Sequence, residues 1–299
     1  PAIALPENFK GMLSWLQFFN LNLFQFVSVG CYTGGFNFYS MLFATTITPG
    51  LVIFLLLAAA RGVGERNNGE SKKGCVSAAL ALSYLILPTV TTAIFQAFPC
   101  DNFDDGTSYL RADYSISCDS GMYGLMVWYA VIMLILFPVG ILSVYSKILI
   151  NNKNAIKEGV EEREDNIELM SKGFLFENYK ASCWWYEIMD TVRRLMLTSV
   201  LGLIEPGTYS QLAVGLVMSL FGCLIACGFQ PYIQIRDNLL AILSAVQIFV
   251  VMLVAMLMKA QKAMAVGGEG ADFDGKYLGY VLMGLNCILV VVFVLSGVV

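Results

Sequence analysis

Four charged residues that interrupt an apolar part of the chain are the strongest candidates for chemistry. They are Glu187, Asp190, Arg193 and Arg194. They follow the aromatic triplet 184–186 and precede the apolar stretch 195–204. Spacings of three and four residues place Asp190 within reach of both arginines on one helix, so the charges can pair. At membrane depth such groups indicate a functional site. The alternative is an amphipathic helix in the headgroup layer, with its charges in water.

Five aspartates are concentrated in the polar segment 99–121, whose only basic residue is Arg111. They are Asp101, Asp104, Asp105, Asp113 and Asp119. Carboxylates are the ligands that hard cations prefer, but the spacing here is not that of an EF-hand. We therefore interpret the segment as a solvated acidic loop. Its functional alternative is weak calcium binding, or the concentration of cations at a pore mouth.

Two cysteines, Cys100 and Cys118, lie in this same acidic segment. On an extracytoplasmic side of a membrane they would meet an oxidising environment, so we predict a disulfide between them. The other six cysteines lie in or near apolar runs and are expected to be packing residues. Cys223 and Cys227 have a spacing that could hold a soft metal, but the small residues around them favour helix packing. We therefore predict no metal site.

Several classes of function are excluded by what the sequence lacks. It contains no histidine, which removes the usual proton shuttle and the commonest metal and haem ligand, and we predict no cofactor. The 18 basic residues are scattered, so a nucleic-acid footprint is missing. No nucleophile has a plausible base and no phosphate-binding loop is found, so we do not expect an enzyme.

The elements that must position these residues are apolar runs of membrane-spanning length. Hydrophobic residues make up 58% of the 299 and charged residues only 13%, which is too little polar surface for a water-soluble globule. A bilayer core about 30 Å thick needs about 20 apolar residues as a helix. Eight runs fit, at 12–31, 38–60, 76–98, 122–150, 184–204, 209–228, 239–258 and 277–299. The first is interrupted by amides and could lie along the interface instead.

The expected fold is all-α, a polytopic transmembrane bundle of about eight helices. Pro49, Pro88 and Pro138 each fall near the middle of a predicted span, where proline kinks a helix. We expect residues 1–299 to form one transmembrane domain. Because the sequence begins without Met and stops inside an apolar run, we expect it to be a fragment of a longer chain.

The orientation of the spans follows from where Lys and Arg collect in short loops. Loop 61–74 contains Arg61, Arg66, Lys72 and Lys73, and segment 151–180 contains Lys153, Lys157, Arg163, Lys172 and Lys180. Both should be cytoplasmic, and the acidic loop 99–121 between them should be extracytoplasmic. Segment 151–180 is interpreted as a charged cytoplasmic linker, with docking of a cytoplasmic partner as the alternative. The membrane itself would be a plasma or ciliary membrane.

Short sequence stretches along the chain resemble the multipass region of large algal and protist surface proteins. They are Glu7-Asn8-Phe9-Lys10 followed by Leu16-Gln17, Asn37-Phe38-Tyr39-Ser40, Ile94-Phe95, Cys100, Asp104-Asp105-Gly106, the stretch 108–120, Phe137-Pro138-Val139-Gly140-Ile141, Trp184-Trp185-Tyr186-Glu187, Arg193-Arg194-Leu195 and Phe229-Gln230-Pro231-Tyr232. Those proteins resemble transient-receptor-potential-like (TRP-like) channels and often carry cysteine-rich, EGF-like repeats. The resemblance covers about residues 6–258, and 108–120 with Cys100 is its most specific part.

The resemblance implies a TRP-like helical bundle, and two functions stay open. The first is a cation channel or channel-like sensor, in which the acidic loop gathers cations. The second is a non-conducting anchor of an ectodomain, or an accessory subunit of a larger membrane complex. Few polar groups occur in the last two spans, namely Asn238, Ser244, Gln247 and Asn286, which is thin for a hydrophilic pore. The lipid bilayer is the expected partner, and inorganic cations, an oligomer or a larger complex are compatible with it.

Overall fold

The structure is a computed structural model that describes Pro6, Gly11 and residues 37–63, 70–157, 172–266 and 275–297. The predicted first span, 12–31, and the central part of the charged linker, 158–171, lie outside the described residues. The chain divides into two compact units, Leu21–Leu203 and a second unit that joins Pro1–Asn20 with Ile204–Val299. The assignment of 1–299 to one transmembrane domain stays a prediction.

Most of the described chain is helical. In the unit Leu21–Leu203 the helices are α1 (Phe38–Val63), α2 (Glu70–Phe95), α3 (Gly121–Leu134), α4 (Gly140–Asn151), the short α5 (Lys153–Lys157) and α6 (Tyr186–Thr198). A π-helical turn (Ile135–Val139) joins α3 to α4. Three short 3₁₀ turns, Gly173–Leu175, Ala181–Cys183 and Val200–Leu203, are the other helical elements among the described residues of this unit. In the described part of 204–299, the second unit has the helices α7 (Tyr209–Phe229), α8 (Ile235–Val266) and α9 (Gly275–Gly297).

Six helices within the described ranges are long and apolar enough to cross a membrane. The six are Phe38–Gly62, Lys72–Phe95, Gly121–Asn151, Tyr209–Phe229, Ile235–Gln261 and Tyr277–Val294. Large apolar side chains on them face outward, among them Phe54, Leu125 and Val217, each more than 60% exposed. Such surfaces are expected against lipid rather than water. The chain is an integral membrane protein, and the total of about eight spans stays a prediction.

The predicted span 184–204 has a different form in the structure. It consists mainly of α6, which has 13 residues, followed by the turn Val200–Leu203. At 1.5 Å per residue α6 is about 20 Å long, shorter than the hydrocarbon core of about 30 Å. This segment is therefore not one of the six candidate spans.

A three-stranded antiparallel sheet forms in the acidic loop, which the all-α prediction did not include. Its strands are β1 (Cys100–Asn102), β2 (Ser108–Leu110) and β3 (Asp113–Ser117), paired in chain order. Leu110 and Ile116 are buried and pack with residues of α1, α2 and α3, including Leu42, Ile94 and Ala130. The sheet is thus fixed to one end of these three helices by an apolar core.

Two connections made by side chains reinforce this arrangement. The Asp113 carboxylate accepts a hydrogen bond from the backbone N–H of Phe38 at 3.0 Å, which satisfies one of the free donors at the start of α1. The Ser120 hydroxyl accepts one from the N–H of Tyr123 at 3.2 Å and caps α3. The loop therefore holds the ends of helices from distant parts of the sequence.

The three prolines predicted to kink helices lie inside helical segments. Pro49 is in α1 and Pro88 is in α2. Pro138 lies in the π-helical turn that joins α3 to α4, and both proline and π-helical turns are common positions of helix kinks. The kinks themselves stay predictions.

The second unit is held together by close helix packing. The buried face of α7 consists largely of small residues, Gly215, Ser219, Gly222 and Ala226, and α7 packs against α8. Within this unit α9 contacts α8, where Leu282 and Val254 are buried together. The left-handed Gln230, with φ 41°, ends α7, and Pro231 follows it.

Candidate functional site

Helix α6 positions the four charged residues predicted from the sequence, Glu187, Asp190, Arg193 and Arg194, which we call the α6 cluster. Glu187, Asp190, Thr191 and Leu195 are buried and lie one helical turn apart on a single face. That face packs within the unit Leu21–Leu203, where α6 contacts α2 and α4. The periodicity of three and four residues explains why acidic and apolar side chains share one buried stripe.

The carboxylate of Asp190 binds both arginines, as the spacing indicated. Its Oδ1 lies 2.6 Å from Nη2 of Arg193, and its Oδ2 lies 2.5 Å from Nη2 of Arg194. Arg193 Nε also donates to Oδ1 at 3.0 Å. The side chain of Asp190 is 5% exposed, whereas those of Arg193 and Arg194 are 17% and 40% exposed. A buried anion is thus balanced by two cations whose side chains are partly exposed.

Glu187 is bound differently, by hydroxyl groups. The Tyr179 hydroxyl donates to Oε2 at 2.5 Å, and the Thr191 hydroxyl lies 3.4 Å from Oε1. Tyr179 and Glu187 are each only 5% exposed. The carboxylate therefore joins α6 to residues 172–185, which lead from the charged linker into this helix and which we call the linker exit.

Tyr84 of α2 makes the third connection of the cluster. The Arg194 guanidinium donates to the Tyr84 hydroxyl and lies 5.2 Å from the centre of its ring. The same ring makes an edge contact with Phe174, at 5.2 Å between ring centres. Tyr84 therefore contacts both α6 and the exit of the charged linker.

Both ends of the charged linker are anchored in one apolar cluster. Ile156 lies at its start, Leu175 and Phe176 lie near its end, and all three are buried with Tyr145 and Leu149 of α4. The Lys153 ammonium also lies 5.1 Å from the Trp184 ring. The described parts of 151–180 are therefore integrated into the unit Leu21–Leu203.

Four of the five aspartates of the acidic loop accept hydrogen bonds from the protein. Asp101 binds Arg111 and Tyr114, Asp105 binds Thr107, Asp113 binds Ser115 and Phe38, and Asp119 binds Ser108. Asp101 also forms an ion pair with Arg111 at 2.7 Å. These bonds shape the loop. Within the described ranges no group of three or more acidic or cysteine side chains is arranged to hold a metal ion.

The predicted disulfide is present. Cys100 and Cys118 are bonded, with their Cα atoms 6.5 Å apart. Cys100 starts β1 just after α2, and Cys118 follows β3 just before α3. The bond therefore closes the loop at its base.

A comparison with family models decides the classification. The model described as transient receptor potential (TRP) ion channel matches residues 11–299, nearly the whole chain. The chain belongs to the TRP ion channel family. No curated protein and no solved structure matches it.

Membership in the TRP family confirms the resemblance read from the short stretches. It supports a channel in general, in a family of ion channels rather than enzymes. EGF-like repeats, the sidedness of the loops and the depth of the α6 cluster in the membrane stay predictions for this TRP-family chain.

The sequence interpretation missed Tyr84 and Tyr179, which complete the α6 cluster of this TRP-family protein. Tyr84 lies 110 residues from Arg194, so no local spacing connects them. Tyr179 is nearer, eight residues before Glu187. A buried carboxyl needs a hydrogen-bond donor, so a search for tyrosines near the cluster could have found it.

Proposed function

We propose that this TRP-family chain is the membrane part of a cation channel in which the α6 cluster couples the charged linker 151–180 to the transmembrane helices. The observation that carries the proposal is the double ion pair of Asp190 with Arg193 and Arg194. Hydrogen bonds connect this cluster both to α2, through Tyr84, and to the linker exit, through Tyr179.

Such an arrangement can transmit a change in the linker to the helices. Tyr84 and Phe174 are in ring contact, so a movement of the linker exit acts on the partner of Arg194. If a movement of Tyr84 drew Arg194 away from Asp190, the carboxylate would keep only the ion pair with Arg193. The equilibrium between closed and open states would then shift by the difference in ion-pair energy between the two states. Breaking a buried ion pair costs much free energy, because the remaining charge is left without a partner.

In a cation channel, the acidic loop would gather cations at the outer mouth of the pore. Its five aspartates and one arginine give segment 99–121 a net charge of −4 (5 − 1 = 4). A negative surface raises the local concentration of cations, an effect that salt screens over about 10 Å. This role requires loop 99–121 to be extracytoplasmic and the basic segments to be cytoplasmic.

The test is a flux measurement on the full chain in liposomes. We expect purified protein to pass monovalent cations, and Asp190→Asn to change the flux several-fold. The matched control is Glu177→Gln, because Glu177 is an exposed carboxylate just before the cluster. No flux from folded, correctly inserted wild-type protein would overturn the proposal.

One observation favours the second candidate function, a non-conducting anchor or accessory subunit. Ser244 donates to the backbone oxygen of Ala241 at 2.9 Å, and Asn286 donates to that of Leu282 at 2.8 Å. These side chains of α8 and α9 donate hydrogen bonds to their own helices, so each is held against its own backbone. Gln247 differs, because its Oε1 is buried with no hydrogen-bond partner in the described part of the chain.

Gln247 therefore provides the discriminating variant for a conduction path along α8. Gln247→Leu should reduce cation flux if the amide contributes to that path, whereas Ser244→Ala should leave the flux unchanged. Equal flux from wild type and Gln247→Leu would remove α8 from the path, and absence of flux from all three proteins would support the anchor.

A further inference from the structure

Glu187 and Asp190 are buried carboxyl groups with contrasting partners. Asp190 takes the ion pairs from both arginines. Glu187 instead receives its hydrogen bonds from hydroxyl groups, those of Tyr179, Thr191 and Tyr84. Burial disfavours the charged form of a carboxyl, and a neighbouring carboxylate disfavours it further. At Glu187 burial is the largest effect and outweighs the hydrogen bond from Tyr179 and the attraction of Arg194, so the pKa of this carboxyl is raised. Of the two groups, Glu187 is therefore the one prepared to take up a proton.

The charged and titratable groups that act on Glu187 come from four elements. Asp190 and Arg194 share its helix, Tyr84 extends from α2, Tyr145 from α4, and Tyr179 from the linker exit. Arg193, which forms an ion pair with Asp190, is the remaining charged residue of α6. With Glu187 ionised the two carboxylates and two arginines are neutral overall, and with a proton bound they carry one positive charge. The 40% exposure of Arg194 allows its surroundings to solvate that charge.

We propose that Glu187 is a proton-binding site whose occupancy controls the attachment of the linker exit to α6. Solvent supplies the proton, which bonds to one carboxylate oxygen. The ionised carboxylate accepts a charge-assisted hydrogen bond from Tyr179, and such bonds are about twice as strong as those between neutral groups. Protonation therefore loosens the contact of Tyr179, and with it the segment that contains Phe174 and Tyr179. The site exists whether or not the chain conducts ions.

Infrared difference spectroscopy of the full chain in lipid nanodiscs tests the binding of the proton. We expect a protonated-carboxyl band that titrates with a midpoint above the ordinary glutamate value of about 4.3. The band should be absent from Glu187→Gln and retained in Glu177→Gln. Its persistence in folded Glu187→Gln protein, or the lack of any band that titrates above about 4.3 in wild type, would overturn the proposal.

Tyr179→Phe provides a second test that keeps the carboxyl in place. Because the tyrosine hydroxyl stabilises the ionised form, its removal should tighten proton binding about tenfold and move the midpoint up by about one pH unit. An unchanged midpoint would contradict the proposal, including in the case that Glu187→Gln does not fold.

Hydrogen exchange of residues 172–185 measures the consequence for the linker exit. Protection in wild type should fall as the pH decreases through the midpoint of the infrared band. Glu187→Gln should show low protection at every pH, since a neutral amide resembles the protonated acid. Protection that does not change with pH in wild type would refute the control of the linker. These readouts do not involve conduction, so their failure is distinct from a failure of the channel proposal.

Discussion

At the scale of single residues, Asp190 joins two cations through one buried carboxylate. Asp190→Ala would leave Arg193 and Arg194 without their anion. Removal of one partner of a buried pair costs about 3 to 5 kcal/mol, and we expect the lower end because Arg194 is partly exposed. Unfolding in detergent with a chemical denaturant measures the loss.

Asp104→Ala is the control for this experiment, because Asp104 is an exposed carboxylate of the acidic loop. It should change the stability by no more than about 0.5 kcal/mol. A loss below about 1 kcal/mol for Asp190→Ala would mean that the cluster behaves as a solvated surface group and would remove its coupling role.

Asp101 provides a prediction on pH dependence. Hydrogen bonds from Arg111 and then Tyr114 lower the pKa of its carboxyl below the ordinary value of 3.8. Because the folded-state pKa is depressed, these bonds stabilise the loop above pH 3.8, and the stabilisation is lost as the pH falls through the folded-state value. Tyr114→Phe should raise the pKa of Asp101, and Arg111→Gln should raise it more.

Nuclear magnetic resonance of aspartate labelled with carbon-13 at the carboxyl measures this titration. Tyr109→Phe is the matched control, because Tyr109 pairs with Asp101 through the backbone of the sheet and contacts Phe103 by its ring, and the substitution keeps both. If Tyr114→Phe and Tyr109→Phe give the same pKa for Asp101, the hydrogen bond from Tyr114 has no electrostatic effect.

Residue contacts were predictable from the sequence only where they are local or chemically specific. The pairing of Asp190 with two arginines follows from helical spacing. The pairing of Cys100 with Cys118 was predicted because both lie in one polar loop that is expected to be extracytoplasmic. Tyr84 could not be found in this way, since its contact with Arg194 depends on how α2 and α6 pack.

At the scale of elements, length and hydropathy predicted the membrane-spanning helices well, because a bilayer demands about 20 apolar residues. The sheet was missed for a physical reason. Two of its strands have only three residues, too few to show an alternating pattern, and the five-residue strand Asp113–Ser117 does alternate but lies in a polar segment that was interpreted as a loop. The segment 184–204, predicted as a span, instead contains a 13-residue helix whose buried side chains include Glu187, Asp190 and Leu195.

The disulfide between Cys100 and Cys118 determines how firmly the sheet holds the ends of α2 and α3. Replacement of both cysteines by Ala should reduce the stability by about 3 kcal/mol, because the bond closes a loop that separates them by 18 residues. Thermal unfolding in detergent measures the loss. Cys75→Ala, which removes a free cysteine of α2, should have a smaller effect. Equal effects of the two changes would contradict a structural role for the bond.

At the scale of the whole molecule, composition alone indicated a membrane protein, and both the six apolar helices and the family match agree with it. The sidedness of the loops depends on the membrane and on how the chain is inserted into it. The distribution of Lys and Arg is the physical basis for predicting it.

The orientation predicts opposite faces for the acidic and the basic loops. We expect Asp104→Cys to react with a membrane-impermeant maleimide on intact cells, whereas Lys72→Cys and Asn154→Cys react only after permeabilisation. All three positions are exposed in the structure. The background should lack the free cysteines but keep Cys100 and Cys118, so that the disulfide still holds the loop. Labelling of Asp104→Cys and Lys72→Cys from the same side would reject the orientation. It would also place the acidic loop away from the outer mouth, and the proposed concentration of cations there would fail with it.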